Sequence, residues 1–440
     1  MCIIATLIQF NFSFLIFFMV VIALVAINSI RPLVLFRGLT SSHLSNRAAL
    51  LEYFYLIIFI VVFIIASISA YTNQRYVRFN LLRAINILTM SVITLILSSN
   101  RILEFYFLFE ILAIPMYFII IGWGYQPEKI KSAYAIFFYT LVSSSSLLII
   151  IMYLAKTGLY RFSQVFIPVN NGQNTVLTSI SIFLTLTFLT KIPVFLFHAW
   201  LPQAHVEAPV YGSIILAGIM LKVGTFGIYR FVYFLDSSLF VEILATVRII
   251  AGVVVGISAF YSTDLKKNIA FTSVVHIALV VVLLILKNKL SIVTRIIIIV
   301  NHAFRSRALF FTITCLYGIR HSRNILFIKG LLNSFPKFSL IWFLAIIARL
   351  GIPPIVNFFG EFLGLVIIYS FFHSMAPIII VSWIIIGAYH VLIFFSVSHG
   401  KPLTKFSDQI FYLSPMDYLI RILLITFSLI NTVVIFIFRQ

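Results

Sequence analysis

The sequence is poor in charge, in acidic residues above all, and in cysteine. Of 440 residues, 10% are charged, 11 are Asp or Glu, and 2 are Cys. A soluble domain carries about 25% charged residues, so this chain lacks the polar groups to cover a globule in water. Cys2 and Cys315 stand far apart. They exclude a disulfide framework, a zinc site and an iron–sulfur cluster, which takes about four thiolates. No glycine-rich phosphate loop follows a strand-like run. Any redox chemistry served by this chain therefore takes place on a partner.

Apolar residues are what the chain has in abundance: 62% are hydrophobic, 16% aromatic, and mean hydropathy is +1.15. Lys and Arg number 31, giving a formal charge of +20. Such an excess often accompanies nucleic-acid binding. Here the basic residues stand singly between apolar runs, the pattern of a polytopic membrane protein with basic loops. Runs of about 18–25 apolar residues predict thirteen transmembrane helices. They cover 3–30, 51–70, 82–98, 102–121, 132–154, 176–200, 212–231, 241–261, 269–286, 292–316, 338–371, 376–397 and 418–438. Long runs without alternation mean helices rather than barrel strands, because in lipid a spanning segment must satisfy its own backbone. The first run is too long for a signal peptide and lacks a basic start and a cleavage site, so it reads as a helix. The longest loops, 31–49, 156–175 and 317–337, are too short to fold alone, which makes 1–440 a single transmembrane domain. Lys and Arg counts in alternate loops leave the orientation open.

Two spans are interrupted by proline, one at Lys191-Ile192-Pro193 and one at Gly351–Pro354. Proline removes a backbone donor and clashes with the preceding turn, so both helices are expected to break. Spans three to six begin near 82, 102, 132 and 176; spans eight to eleven begin near 241, 269, 292 and 338. The offset is about 160 residues throughout, with the broken helix fourth in each set, a pointer to an inverted-repeat transporter fold. On this reading 82–233 and 241–397 are the two repeats, 1–81 holds N-terminal helices and 398–440 a C-terminal helix.

Ionisable residues inside spans are the candidates for function. Glu110 lies mid-span in FLFEILAIP, and Glu361 follows the second break. A carboxylate at the bilayer centre costs roughly 2.5–3.5 kcal/mol on insertion scales, so it calls for a role. Lys191 precedes the first break, and Lys222 is too far from either end of its span to snorkel to water. Burial disfavours the charged form of a lysine and a nearby carboxylate favours it, so a moving Glu–Lys pair is a switchable proton store. Glu110 with Lys191 is the natural pair. His198, His276 and His302 can extend a relay, since imidazole titrates near neutrality; His198, seven residues after Lys191, is expected two helical turns along the same face. His205 and Glu207 are expected to face an aqueous entry or exit. Trp123 and Trp200 near span ends fit an interfacial belt. Arg305 and Arg307 are unexplained by pattern: they face a hydrated interior, pair with Glu361 or another subunit, or mean that their helix starts later.

The stretch 191–227, KIPVFLFHAWLPQAHVEAPVYGSIILAGIMLKVGTFG, resembles the chain 4 family of antiporter-like membrane-arm subunits of respiratory complex I, the mitochondrial NADH:ubiquinone oxidoreductase. HAWLPQAHVEAP is highly specific, and its HVEAP form is similar to chain 4 rather than the longer chain 5. FLFEILAIP, GYQPEKIKSAYAIFFYTLV at 124–142, TDLKKNIAFTSVVH at 263–276, RHSR at 320–323 and PPIVNFFGE at 353–361 match as well. The resemblance covers roughly 100–400.

It implies an all-α proton-pumping subunit of the mitochondrial inner membrane, in a family of fourteen core helices. Glu110 would be the lysine-modulating glutamate, Lys191 the lysine of the first broken helix, Lys222 the central lysine and Glu361 the acidic residue of the second broken helix. His198, His276 and His302 would belong to a hydrated polar axis. No cofactor is implied in this chain; FMN, iron–sulfur clusters, NADH and ubiquinone would lie on partner subunits. Partners would be other complex I subunits, neighbouring antiporter-like ones above all, and membrane lipids, cardiolipin among them, with no nucleic acid. The chain departs from the family at HAFRSRALFF, where small and polar residues usually follow the histidine. Two rivals remain: a subunit of an Mrp-type cation/proton antiporter, and a structural subunit that does not pump.

Overall fold

The computed structural model describes Tyr55, Phe59 and residues 79–400 apart from 163–173, 195–196, 232–237, 287–288, 321, 354 and 374–375. The predicted spans at 3–30 and 418–438, and all but two residues of 51–70, lie outside the described residues. Those described are helical, with no strand among them beyond two isolated bridges. Among the described residues, seven helices are long and apolar enough to cross a membrane.

The first half runs through α1 (Phe79–Ser98), α2 (Ile102–Ile111), α3 (Ala113–Trp123) and α4 (Lys129–Lys156). α2 and α3 form one span with an irregular residue at Leu112. The cause is Pro115, which has no N–H to offer the Ile111 carbonyl four residues back. α5 (Asn174–Lys191) ends where Pro193 forbids continuation, and the chain resumes as α6 (Trp200–Glu207). Then come α7 (Val210–Ile215), a π turn (Leu216–Met220) and α8 (Leu221–Phe231), one continuous span.

The second half has α9 (Ser238–Tyr261), α10 (Leu265–Ile285) and α11 (Lys289–Arg320), then the short α12 (Leu331–Ser334). α13 (Pro336–Leu350) breaks before α14 (Val356–Phe371), and α15 (Ala376–Ser398) follows. Gly351 closes α13 at φ +64°, a left-handed cap that favours glycine. Both predicted breaks are therefore present.

The most apolar stretch of the span α7–α8 is wholly buried and those of α10 and α11 nearly so, whereas α4 and α15 bury about a third of theirs. Val142 and Ile149 on α4 are 72% and 71% exposed, an apolar outer face suited to lipid or a neighbour. Helices apolar all round form the centre, so a charged side chain placed on them has no route to the surface. Lys222, His276 and His302 are on those helices.

Close packing at the centre needs missing side chains. A Cβ on Gly227 would clash with the edge of the Phe188 ring on α5, and one on Gly224 would press on Ile192 beside the first break. Gly227→Ala is expected to destabilise the protein by about 1–3 kcal/mol through overpacking, seen as a lower midpoint of thermal aggregation. An unchanged midpoint would show that Phe188 yields freely.

Candidate functional site

The two lysines end in different surroundings. Lys191 is 2% exposed, yet its ammonium does not touch a carboxylate. It donates to the Phe109 carbonyl and stands 3.2 Å over the Phe109 ring centroid, a cation–π contact. Glu110 is the next residue; Lys191 is its charged neighbour, and no hydrogen bond joins the two. The predicted pair is thus brought together but left open, with the lysine held on the glutamate's own helix. The first break is closed by an indole: Trp200 Nε1 donates to the Thr190 carbonyl at 2.9 Å. Trp200 is accordingly buried at 1% exposure and is not an interfacial tryptophan.

Lys222 lies nine residues from the end of α8, about 14 Å along the axis. Its Nζ donates to the Ala217 carbonyl at 2.6 Å and meets His302 Nδ1 at 2.9 Å. Ala217 belongs to the π turn, whose wider winding displaces carbonyls from the regular ladder; such turns gather at functional sites. The His302 ring centroid is 6.5 Å from that of His276, and the Nε2 of each ring has no protein partner. His276 Nδ1 is 2.9 Å from Glu361 Oε1. Lys222, His302, His276 and Glu361 form a line from α8 through α11 and α10 to α14. One gap, between the two histidines, is of a size that a single water or a ring rotation spans.

His198 departs from expectation. α5 stops at Lys191, so His198 sits in the non-helical connection and not on a shared helical face. It is half-buried beside the Phe271 ring of α10, 6.1 Å between centroids. His205 departs too: it is fully buried and stacks on Phe310 at 4.4 Å, because α6 packs inward after the break. The third reading of the arginine pair is also overturned. α11 starts earlier than predicted, at Lys289, and places Arg305 and Arg307 mid-helix at 2% and 0% exposure.

Glu207 is itself 2% exposed and forms part of a cleft wall. The cleft, of about 800 Å³, is lined as well by Glu128, Asp264, Lys131, Lys267 and Arg323. Arg323 ties this face together, donating to the Val206 carbonyl at 2.5 Å and lying 3.8 Å from both Glu207 and Asp264. Asp264 in turn caps α10, accepting from the Lys266 amide at 2.8 Å. Burial pushes the Glu207 carboxyl up, and the Arg323 guanidinium opposes that. Glu207 therefore takes up a proton at a higher pH than an ordinary carboxylate, and its pair with Arg323 loosens as pH falls through that value. Arg323→Gln removes the opposing charge and is expected to cost about 3 kcal/mol locally. Hydrogen exchange across 263–268 should then accelerate at neutral pH; unchanged exchange would mean that the knot is held without Arg323.

Several site residues carried no sequence signal that pattern reading used. Asn357 donates to Glu361 Oε1 and accepts from Arg305 at 2.5 Å. Arg349 donates to the Ile269 carbonyl at 3.1 Å and to Thr272 and Ser273. Gly351 leaves room for Asn357: a Cβ there would stand 2.9 Å from its Nδ2. The i, i+4 spacing of Asn357 and Glu361 in PPIVNFFGE was the available clue.

A bundle of long apolar helices, two of them broken, with buried lysines, histidines and carboxylates at the breaks and in the centre, defines a membrane protein of the antiporter type. The family described as NADH:quinone oxidoreductase/Mrp antiporter, transmembrane, matches residues 99–388. NADH-ubiquinone oxidoreductase chain 4 of Locusta migratoria is 33% identical over 305 residues, 69% of this chain and 68% of the relative. That of Ceratitis capitata is 34% identical over 352 residues, 79% and 74% of the two chains. A chain in respiratory complex I from Thermus thermophilus with bound NADH superposes with a TM-score of 0.77 at 20% identity, covering 87% of this chain and 80% of that one. A chain of the Mrp complex from Dietzia sp. DQ12-45-1b gives 0.71 at 17% identity, covering 80% and 66%. The chain belongs to this family, on its NADH-ubiquinone oxidoreductase chain 4 branch.

Proposed function

We propose that this chain is a proton-translocating subunit of the membrane arm of complex I in the mitochondrial inner membrane, working beside other antiporter-like subunits and lipids such as cardiolipin. The observation that carries the reading is the buried line Lys222–His302–His276–Glu361, with the open pair Glu110 and Lys191 beside the first break. NADH oxidation and ubiquinone reduction belong to partner subunits, as do FMN and the iron–sulfur clusters. Two cysteines in the whole chain cannot ligate such a cluster, so no redox step is assigned here.

In this mechanism the chain receives energy as displaced charge. A change in the distance between Glu110 and Lys191 alters how firmly the lysine holds its proton. The proton passes to Lys222, then through His302 and His276, whose free Nε2 atoms need a water or a ring turn between them. Glu361 ends the line. His198, in the connection after α5, takes part from the edge of the axis. Each charge moved against 100 mV costs about 2.3 kcal/mol, so the path must open in stages, and the gap between the histidines supplies one such interruption.

The test is copurification: native extraction of the membrane, then in-gel NADH oxidation on the assembly that holds this chain. Presence in a rotenone-sensitive NADH-oxidising assembly is expected. The likeness to the Mrp complex keeps a second reading, a cation/proton antiporter subunit. Sodium-coupled transport in an assembly without NADH oxidation would decide for it.

A further inference from the structure

A helix that breaks inside a membrane leaves its last carbonyls without partners, and lipid supplies none. At the end of α13 two of these carbonyls, of Ala348 and Arg349, accept from one guanidinium. Arg305 Nη1 lies 3.4 Å from the first and 3.0 Å from the second. Its Nε donates to the Asn301 carbonyl of its own helix at 3.3 Å, which fixes the side chain against α11. Its Nη2 donates to Asn357 Oδ1 at 2.5 Å and lies 4.0 Å from Glu361 Oε1.

The amide between them has a forced orientation. Arginine offers donors only, so the Asn357 oxygen must face it. The Asn357 nitrogen is then left facing Glu361, to which it donates. Reversed, the amide would set donor against donor on one side and oxygen against carboxylate on the other. Arg349, which leaves the same helix end, secures the opposite side by donating to the Ile269 carbonyl and the Thr272 and Ser273 hydroxyls on α10.

We propose that Arg305 is the positioning residue of the second broken helix: it clasps the open end of α13 and, by orienting Asn357, presents a fixed donor to Glu361. The two breaks are therefore held differently. A neutral indole closes the first, and a cation that keeps its proton closes the second. The second break carries its own permanent countercharge for Glu361, and the chain's departure at HAFRSRALFF supplies it.

The consequence for proton movement rests on the pumping role proposed above; the geometric claim does not. Both can be read in one set of variants of the assembled complex. Infrared difference spectra locate the Glu361 carboxyl band as the one lost in Glu361→Gln. In Arg305→Gln that band is expected to move, and translocated protons per NADH to fall about two-fold or more while NADH oxidation by uncoupled complex continues. Arg305→Lys keeps the charge but cannot reach both carbonyls and the amide, so the band should stay displaced. Asn357→Asp keeps an acceptor for Arg305 and replaces the donor to Glu361 with a second carboxylate oxygen, so it should displace the band as well. A Glu361 band unmoved in Asn357→Asp, or fully restored by Arg305→Lys, would overturn the proposal. If Glu361→Gln itself left proton yield unchanged, the pumping role would fall, and the band shifts would still decide the clasp.

Discussion

Lys222→Met is expected to abolish proton translocation in an assembled, NADH-oxidising complex. The ammonium contacts two acceptors, the Ala217 carbonyl at 2.6 Å and His302 Nδ1 at 2.9 Å. Methionine keeps the length and the packing and removes the proton. A positioned group that gives and takes a proton contributes about 10²–10⁴-fold to a rate, so coupled turnover should fall by at least about 100-fold. The sharper control is Lys222→Arg. It retains the charge among Arg305, Arg307 and Arg349, but arginine does not release its proton. If the site needs only positive charge, arginine rescues; if it needs a transferable proton, arginine is as inactive as methionine. The second result is expected, measured as protons moved per NADH in reconstituted vesicles. Normal stoichiometry in Lys222→Arg would remove Lys222 from the path.

The second large effect is expected at Glu110. Its carboxylate makes no hydrogen bond to Lys191, which turns instead to the Phe109 carbonyl and ring. The glutamate therefore acts on the lysine through its charge, not through a bond. Two unit charges 4 Å apart interact by about 4 kcal/mol at an effective dielectric of 20. Even a quarter of that, about 1 kcal/mol, changes a rate about five-fold. Glu110→Gln is isosteric and removes the charge, so coupled NADH oxidation should fall about five-fold or more. Glu110→Asp, which keeps the charge at shorter reach, should retain part of it. Equal loss in both variants, with full assembly, would point to shape rather than charge at this position.

Much of the fold was legible because the solvent is lipid. A spanning segment must be apolar and must close its own hydrogen bonds, so helix positions follow from composition, and Pro193 and the pair after Ile352 announce the breaks. The same rule made charged residues conspicuous: Glu110, Lys191, Lys222, Glu361, His276 and His302 stand out in apolar runs. His198 falls off the expected face because α5 does not run on past Lys191, and His205 is buried because α6 packs inward after the break. Trp200 misled for a related reason, since a span end drawn through a break is not a membrane surface.

The sequence by itself determined which residues are costly enough in a membrane to need a role, since that cost depends on residue type and depth along a helix. Only the tertiary structure decided which of them meet. Lys222 to His302 spans 80 positions and Arg305 to Asn357 spans 52, and no periodicity within one helix encodes such pairs. They depend on how α8, α10, α11 and the broken α13–α14 pack, and on a π turn and a glycine cap that set one carbonyl and one amide in reach. Scarce charge named the candidates; packing in a medium that offers no other hydrogen-bond partner chose the pairs.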